Sequence, residues 1–350
     1  MLLIPVVVLL VIELAVRDYS AGFANMILKQ GGDLVQHHFH GLYVYDPYLG
    51  WVPKPAAAAE KWGTVVHTLG DGIRSNGNTR VGIQGKEVIL VLGDSYAFGD
   101  EVADNQTWPA VLEEISSYQV LNAAVSSYGI DQIVLRGEKL LEKYHPDIVI
   151  VSFIFETLDR IDESVRHGVP KPYFVLENGQ LVLRNVPIRF KEDVKLDWFR
   201  RIFGYSHLVH LVMDRLFPEY WWKDTMYDIR YVQEGQDDSF EIVEMLLKKI
   251  VDAAGENTKV IFLAQAGVNV NETHNYFIVS LLSRVQEYAP RKSATVNLLS
   301  ELMELKKNNP QEFIRLYNLQ YQNPHLSAKG NEFVAQRLKE ALAGLGTPQP

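Results

Sequence analysis

A serine that acts as a nucleophile needs an exposed position, a base within reach, and N–H groups aimed at the negative charge that develops. Residues 87–109, EVILVLGDSYAFGDEVADNQTWP, supply the first of these. Five of the six residues from Glu87 to Leu92 are apolar, a run that is short for a helix and reads as a buried strand. It passes directly into Gly93-Asp94-Ser95, with Gly99 four residues further on. A glycine-permitted sharp turn there can lift the Ser95 hydroxyl to the rim of a sheet. The first turn of a following helix would bring unbonded backbone N–H groups beside it. The base best placed to meet Ser95 is His325, in QNPHLSAKGNEFVAQRL, a loop leading into the last helix. The two side chains are expected within direct or one-water reach. His145 precedes a strand at its far end, and His207 and His210 share an apolar helix, so surface or core packing accounts for them.

The elements that must carry these residues alternate. After the first strand, Thr107 can cap and Pro109 can open a helix running to about Ile115. A strand over 119–124, a helix over 131–144 and a buried strand over 147–153 follow. Phe240, Val243, Leu247 and Ile250 mark another amphipathic helix. A strand over 259–264, a helix over 272–289, a short strand near 295–299 and a helix over 328–343 complete the series. Such alternation predicts a parallel sheet covered on both faces, a three-layer α/β/α sandwich, with ligands beyond the carboxyl ends of its strands. Residues 160–235 interrupt the pattern. Asn178-Gly179 within alternating apolar residues signals a hairpin. Trp198, Phe199, Phe203, Phe217, Tyr220, Trp221 and Trp222 follow as an aromatic-rich insertion, either a satellite core or a lid or sugar platform.

Composition removes several classes. The 350 residues are 47% hydrophobic and 22% charged, ordinary values for a globular chain. A net charge of −9 without a dense basic run argues against a nucleic-acid partner. The chain has no cysteine, so disulfides, thiolate metal sites and thiol nucleophiles are excluded. Residues 2–12 are uninterrupted apolar, and the stretch 1–17 is expected to be a membrane anchor or an uncleaved signal, with a buried first helix or strand as the alternative, since it falls short of the roughly 20 residues of a full span. Residues 18–85 read as an extension and linker laid over the core, and 86–345 as the α/β domain with its insertion. His37, His38 and His40 read as a solvated linker, with no metal site and no cofactor expected.

Four segments together resemble the SGNH, or GDSL-type, hydrolase family: GDSYAFG at 93–99, NAAVSSYGIDQ at 122–132, HPDIVIVSF at 145–153 and NPHLSAKGNEFVA at 323–335. The resemblance covers most of 87–160 and 238–343. It implies a flavodoxin-like sheet, Ser95 as nucleophile, His325 as its base, and Ser95 N–H in the oxyanion hole. It brings Asn122 into the oxyanion and substrate region and puts Ser127, five residues on, where a glycine usually donates its N–H; a serine serves there if φ is negative, and Gly129 is a nearby substitute. Glu156 stands where an asparagine is expected and would donate only if burial kept it protonated. Asn323, or Gln322, stands where the acid behind the histidine is expected, so Asn323→Asp is expected to raise turnover. The N-terminal stretch, DPYLGW and TLGDGIR are similar to membrane-anchored members associated with envelope or exopolysaccharide modification, which implies an extracytoplasmic, periplasmic location. The implied activity is that of an esterase or O-acyltransferase acting on an acylated carbohydrate or small ester. The alternative is a catalytically impaired relative that binds glycan or scaffolds polysaccharide assembly.

Overall fold

The computed structural model describes residues 3–17, 22–23, 41–77, 85–167, 169–188, 196–223, 225 and 238–345. His37, His38 and His40 lie outside them. Thirteen strands occur among the described residues. Four short ones come first: β1 (Tyr43–Asp46) pairs with β2 (Gly50–Pro53), and β3 (Ala58–Lys61) with β4 (Thr64–His67). Then come β5 (Val88–Leu92), β6 (Gln119–Asn122), β7 (Ile148–Phe153), β8 (Val165–Arg166), β9 (Val169–Pro170), β10 (Tyr173–Glu177), β11 (Gln180–Arg184), β12 (Lys259–Ala264) and β13 (Ser293–Asn297). The chain divides into two compact units, one of residues 52–161, 174–182 and 237–350, the other of 1–51, 162–173 and 183–236.

The larger unit holds the sheet. Five strands lie in the order β13-β12-β7-β5-β6, and each neighbouring pair is parallel. The central strands are apolar because both faces are covered: every residue of β6 and β7 is buried, and all but the first of β5. Helices Trp108–Ile115 and Ala328–Leu345 pack together, and Ile130–Tyr144, Ser239–Ala253 and Glu272–Tyr288 pack in series. This is the α/β sandwich that the alternation predicted, with the flavodoxin-like order that the family resemblance implied. The last strand lies two residues earlier than expected, at 293–297. From β5 the chain steps to β6 on one side, then crosses to β7 on the other. The crevice between the carboxyl ends of β5 and β7 is therefore the topological switch point, where ligands of open α/β sheets bind. Gly93 ends β5 there. A Cβ on it would stand 2.8 Å from the Ser152 carbonyl oxygen and 2.7 Å from the Ala97 methyl, so only glycine permits the turn.

Two hairpin turns share one geometry. Asn178-Gly179, between β10 and β11, has φ of 53° and 73°, the type I′ pattern that Asn-Gly favours. Trp62-Gly63, between β3 and β4, has φ of 51° and 72°. Its residue pair carries no hairpin signal, and the β3–β4 hairpin is absent from the expected elements for that reason.

The smaller unit has its own core. Phe23, Leu196, Trp221 and Trp222 are buried together, with Val165, Phe199, Val209 and Met213 packed around them. Trp221 donates its indole N–H to His210 Nδ1 at 2.9 Å, so His210 is a core histidine. The first helix, Leu3–Arg17, is 15 residues long, and among the described residues no helix is long and apolar enough to cross a membrane. Glu13 docks it onto the helix His207–Leu216. Its carboxylate accepts the N–H of His207 at 2.8 Å and of Leu208 at 2.9 Å, and the Ser206 hydroxyl at 2.7 Å. Glu13 thus caps the first turn of another helix, where unbonded N–H groups favour negative charge.

Burial works to raise the Glu13 pKa, but the Leu208 and His207 N–H groups and the Ser206 hydroxyl outweigh it and hold the carboxyl at about 2, below its ordinary 4.5. A carboxylate held low contributes stability that is complete above pH 4.5 and is lost as the pH falls toward 2. Glu13→Gln should reduce stability at neutral pH by about 1 kcal/mol, the scale of a lost helix cap, and so lower the thermal midpoint. The difference from the parent chain should shrink as pH is lowered through that window, measured by calorimetry.

Candidate active site

Ser95 opens a four-residue helix, Ser95–Phe98, immediately beyond β5. Asp94 caps it, accepting the Tyr96 N–H at 2.9 Å. The other oxygen of this fully buried carboxylate takes the Thr157 hydroxyl, with the Arg160 guanidinium 3.7 Å away. Gly99 closes the helix at φ 86°, and both Gly99 and Asp100 donate their N–H to the Ser95 carbonyl. Ser95 is therefore pinned on both sides. Its own N–H lies in the first turn and donates to nothing among the described residues. An N–H in that position can stabilise negative charge that develops beside the hydroxyl.

The Ser95 hydroxyl lies 2.8 Å from His325 Nε2, as the sequence places them. Behind the imidazole stands Glu101. Its Oε1 is 2.8 Å from His325 Nδ1, and its Oε2 accepts the His325 backbone N–H at 3.0 Å. A carboxylate only accepts, so Nδ1 carries the proton and Nε2 is left to accept from Ser95. Glu101 thus occupies the place expected for Asn323 or Gln322. Those two side chains are exposed and make no hydrogen bond among the described residues. The carboxylate behind the imidazole comes from the loop just beyond Ser95, six residues on, rather than from the histidine's own loop.

Three residues, Asn318, Tyr96 and Asn331, tie the histidine loop to the segment that follows Ser95. Asn318 donates its backbone N–H to the His325 carbonyl at 2.9 Å and its amide to the Glu101 carbonyl at 3.3 Å. Tyr96 donates its hydroxyl to the Pro324 carbonyl at 3.1 Å, with its ring 5.0 Å from the imidazole. Asn331 accepts the Trp108 N–H at 2.8 Å and returns its amide to the Ser327 carbonyl at 2.9 Å, which fixes the start of the last helix.

The acid's loop needs more, because Glu101 itself sits at φ 73°, a left-handed conformation unusual for a side-chain-bearing residue. Arg74 holds that loop. Its fully buried guanidinium donates to the Phe98 carbonyl at 2.7 Å, the Gly99 carbonyl and the Val102 carbonyl at 2.7 Å, and its Nε lies 3.3 Å from Asp104. Arg74 belongs to the TLGDGIR stretch, to which the sequence alone gives no chemical role. On the other side, Lys61 is buried with its ammonium 3.1 Å from Asp100, and the Ser126 hydroxyl donates to the same carboxylate oxygen at 2.6 Å. Burial pushes the Lys61 ammonium down to about 8, against the opposing pull of Asp100. The residues after this pair are Glu101 and Ser127, so one buried cation ties two site loops together.

The other expected oxyanion positions depart from the family pattern. Asn122 is buried and donates its amide to the Ala97 carbonyl at 3.0 Å, which makes it a support of the nucleophile's helix. Gly129 has φ −86° and gives its N–H to the Gln132 side chain, as the cap of the next helix. Ser127 lies at φ 68° instead of the expected negative value. Glu156 is exposed, so the burial that its expected protonation required is missing. The segment after β7 instead serves Asp94, through Thr157.

No family model and no curated protein matches this chain. Solved structures do. A lipase/acylhydrolase from Enterococcus faecalis is 11% identical with a TM-score of 0.43, covering 75% of this chain and 99% of its own. A putative G-D-S-L family lipolytic protein from Desulfitobacterium hafniense is 14% identical at 0.39, covering 73% and 99%. A catalytic mutant of an acetylxylan esterase from Geobacillus stearothermophilus is 13% identical at 0.41, covering 75% and 95%. These are the lipolytic and esterase types that the sequence motifs resemble. Likenesses this distant carry no inference about activity, which rests on the distances around Ser95.

Glu101→Gln keeps the shape but loses the charge behind the imidazole. It should lower the turnover of an acetyl ester reporter by up to about 10⁴-fold, the scale of the corresponding Asp→Asn change in a serine protease. Asn323→Asp should give no rise, because His325 Nδ1 already has its acid. Steady-state kinetics on both variants checks the pair.

Proposed function

We propose that this chain is a serine ester hydrolase or O-acyltransferase of the SGNH type, working through an acyl-enzyme on Ser95. The observation that carries the reading is the unbroken line from Ser95 Oγ through His325 to Glu101, with both steps at 2.8 Å. His325 Nε2 takes the hydroxyl proton as Ser95 Oγ attacks the ester carbonyl. Glu101 holds the tautomer and steadies the imidazolium that forms. The carbonyl oxygen becomes negative beside the Ser95 N–H. As the tetrahedral species collapses, the imidazolium returns its proton to the departing alcohol. Water, or a second hydroxyl in the transferase case, then resolves the acyl-enzyme by the same route in reverse. The substrate is an acylated carbohydrate or a small ester. An envelope setting with the catalytic unit outside the cytoplasm belongs to the same reading, supported by the resemblance of the N-terminal stretches to anchored relatives.

The competing reading is an impaired, glycan-binding or scaffolding relative. What favours it is the exposed Glu156 where a side-chain oxyanion donor is expected. What opposes it is Glu101, which supplies the acid whose absence from the histidine loop suggested impairment.

The imidazole must be neutral to act as base. Burial lowers its pKa, but the Glu101 hydrogen bond and the Asp100, Glu101 and Asp94 carboxylates act in the opposite sense and prevail, so it lies above the ordinary 6.5. The rate on a small acetyl ester should therefore rise with pH through a midpoint above 6.5, and Glu101→Gln should move that midpoint down. A fluorophosphonate should add one mass increment to the chain, located on Ser95 by peptide mass spectrometry and absent from Ser95→Ala. Labelling elsewhere, or turnover that survives Ser95→Ala, contradicts the reading.

A further inference from the structure

The β3–β4 hairpin is tipped by a residue that breaks the rule for its own turn. Lys61 pairs with Thr64, which leaves Trp62-Gly63 as a two-residue loop with both residues at positive φ. The first place of such a turn favours Asn, Asp or Gly, and a bulky aromatic there is a strained choice. Strain of this kind persists where surrounding structure enforces it, and it concentrates at ligand sites. Trp62 is enforced from two directions. Tyr321, four residues before the catalytic histidine, donates its hydroxyl to the Trp62 carbonyl at 3.1 Å. The buried Lys61 ammonium lies 3.6 Å from the Trp62 ring centroid while bound to Asp100, the neighbour of Glu101. The indole, half-buried, stands 6.3 Å from the His325 ring.

Next to Tyr321 in the chain, Gln322 and Asn323 are exposed, three and two residues before His325. Neither side chain makes a hydrogen bond among the described residues. An aromatic surface flanked by amides that can both donate and accept suits a ligand with C–H faces and a fringe of hydroxyls. A pyranose has that chemistry, and an alkyl alcohol does not use the amides.

We propose that Trp62, with Gln322 and Asn323, forms a sugar subsite beside His325 that takes the pyranose ring carrying the scissile ester. Lys61 is its positioning residue. The proposal rests on the esterase reading for its orientation and names the alcohol half of that substrate. It concerns the hairpin before the α/β core and two amides of the histidine loop, none of which takes part in the proton transfers.

Two measurements on the full chain separate this proposal from the activity. The first uses Ser95→Ala, which does not turn over, and titrates it with mono-O-acetylated methyl glucopyranoside by calorimetry. Adding Trp62→Ala should weaken binding about tenfold, Trp62→Phe should keep most of the affinity, and Gln322→Ala with Asn323→Ala should weaken it several-fold, on the scale of single aromatic and hydrogen-bond contacts. The second compares kcat/KM for the acetylated glycoside, 4-nitrophenyl acetate and hexyl acetate in the chain with Ser95 intact. Trp62→Ala should lower the glycoside value about ten times more than either of the others.

Affinity within twofold of the parent after Trp62→Ala overturns the proposal. So does an equal loss on all three esters, or a loss on hexyl acetate matching that on the glycoside, which would make the tip a general apolar wall. Turnover absent on every ester, with the Trp62-dependent affinity intact, sinks the esterase reading and leaves the sugar subsite standing. Should Trp62→Ala misfold, Trp62→Asn keeps the left-handed turn and removes the ring, and it must give the same result.

Discussion

A carboxylate that is almost wholly buried must have its charge met, and around Glu101 that requirement organises the site. Its side chain is 2% exposed. Both oxygens are taken by His325, one by the ring N–H and one by the backbone N–H. Leaving such a charge unpartnered costs several kcal/mol, so the histidine loop and the acid's loop hold each other in place. The same contact that closes the fold fixes the tautomer that leaves Nε2 facing Ser95. The remaining apparatus serves this contact. Arg74 gathers the carbonyls on either side of Glu101, Lys61 and Ser126 hold its neighbour Asp100, and Asn318 bridges the acid's carbonyl and the histidine's.

Left-handed residues cluster where that apparatus meets the reaction. Trp62, Gly99, Glu101 and Ser127 all have φ between 51° and 86°. Three of the four bear side chains, and each of these three adjoins one of the residues linked through the Lys61 ammonium: Lys61, Asp100 and Ser126. Sequence-level preferences are expected to fail at such places, since tertiary contacts enforce conformations that local preference resists.

That explains what could and could not be read beforehand. The parallel sheet and the place of Ser95 at its rim follow from apolar strands alternating with amphipathic helices, patterns that burial on two faces imposes, whereas the strand order was implied only by the family resemblance. His325 follows from standing in the loop before the last helix. Glu101 does not, although GDSYAFGDEV displays it six residues after the nucleophile. The expected position lay beside the histidine, and nothing in the chain's local pattern reveals that a left-handed turn swings this glutamate back behind the ring. The two hairpins make the same point. Asn178-Gly179 announces its turn because those residues adopt positive φ readily, whereas Trp62-Gly63 makes the same turn with a residue that does not. The first helix was legible as apolar, but its use of Glu13 to cap a helix nearly two hundred residues away is a tertiary fact.

The central claim is that Glu101 is the group behind His325. Nuclear magnetic resonance titration of the His325 imidazole, in the parent chain and in Glu101→Gln, Asn323→Ala and Gln322→Ala, tests it most directly. The account predicts a midpoint above the ordinary 6.5 in the parent, with the ring N–H proton shifted far downfield. It predicts that Glu101→Gln lowers the midpoint and loses that resonance, and that neither amide substitution does. A midpoint indifferent to Glu101→Gln, or one that moves with Asn323 or Gln322 instead, would contradict it.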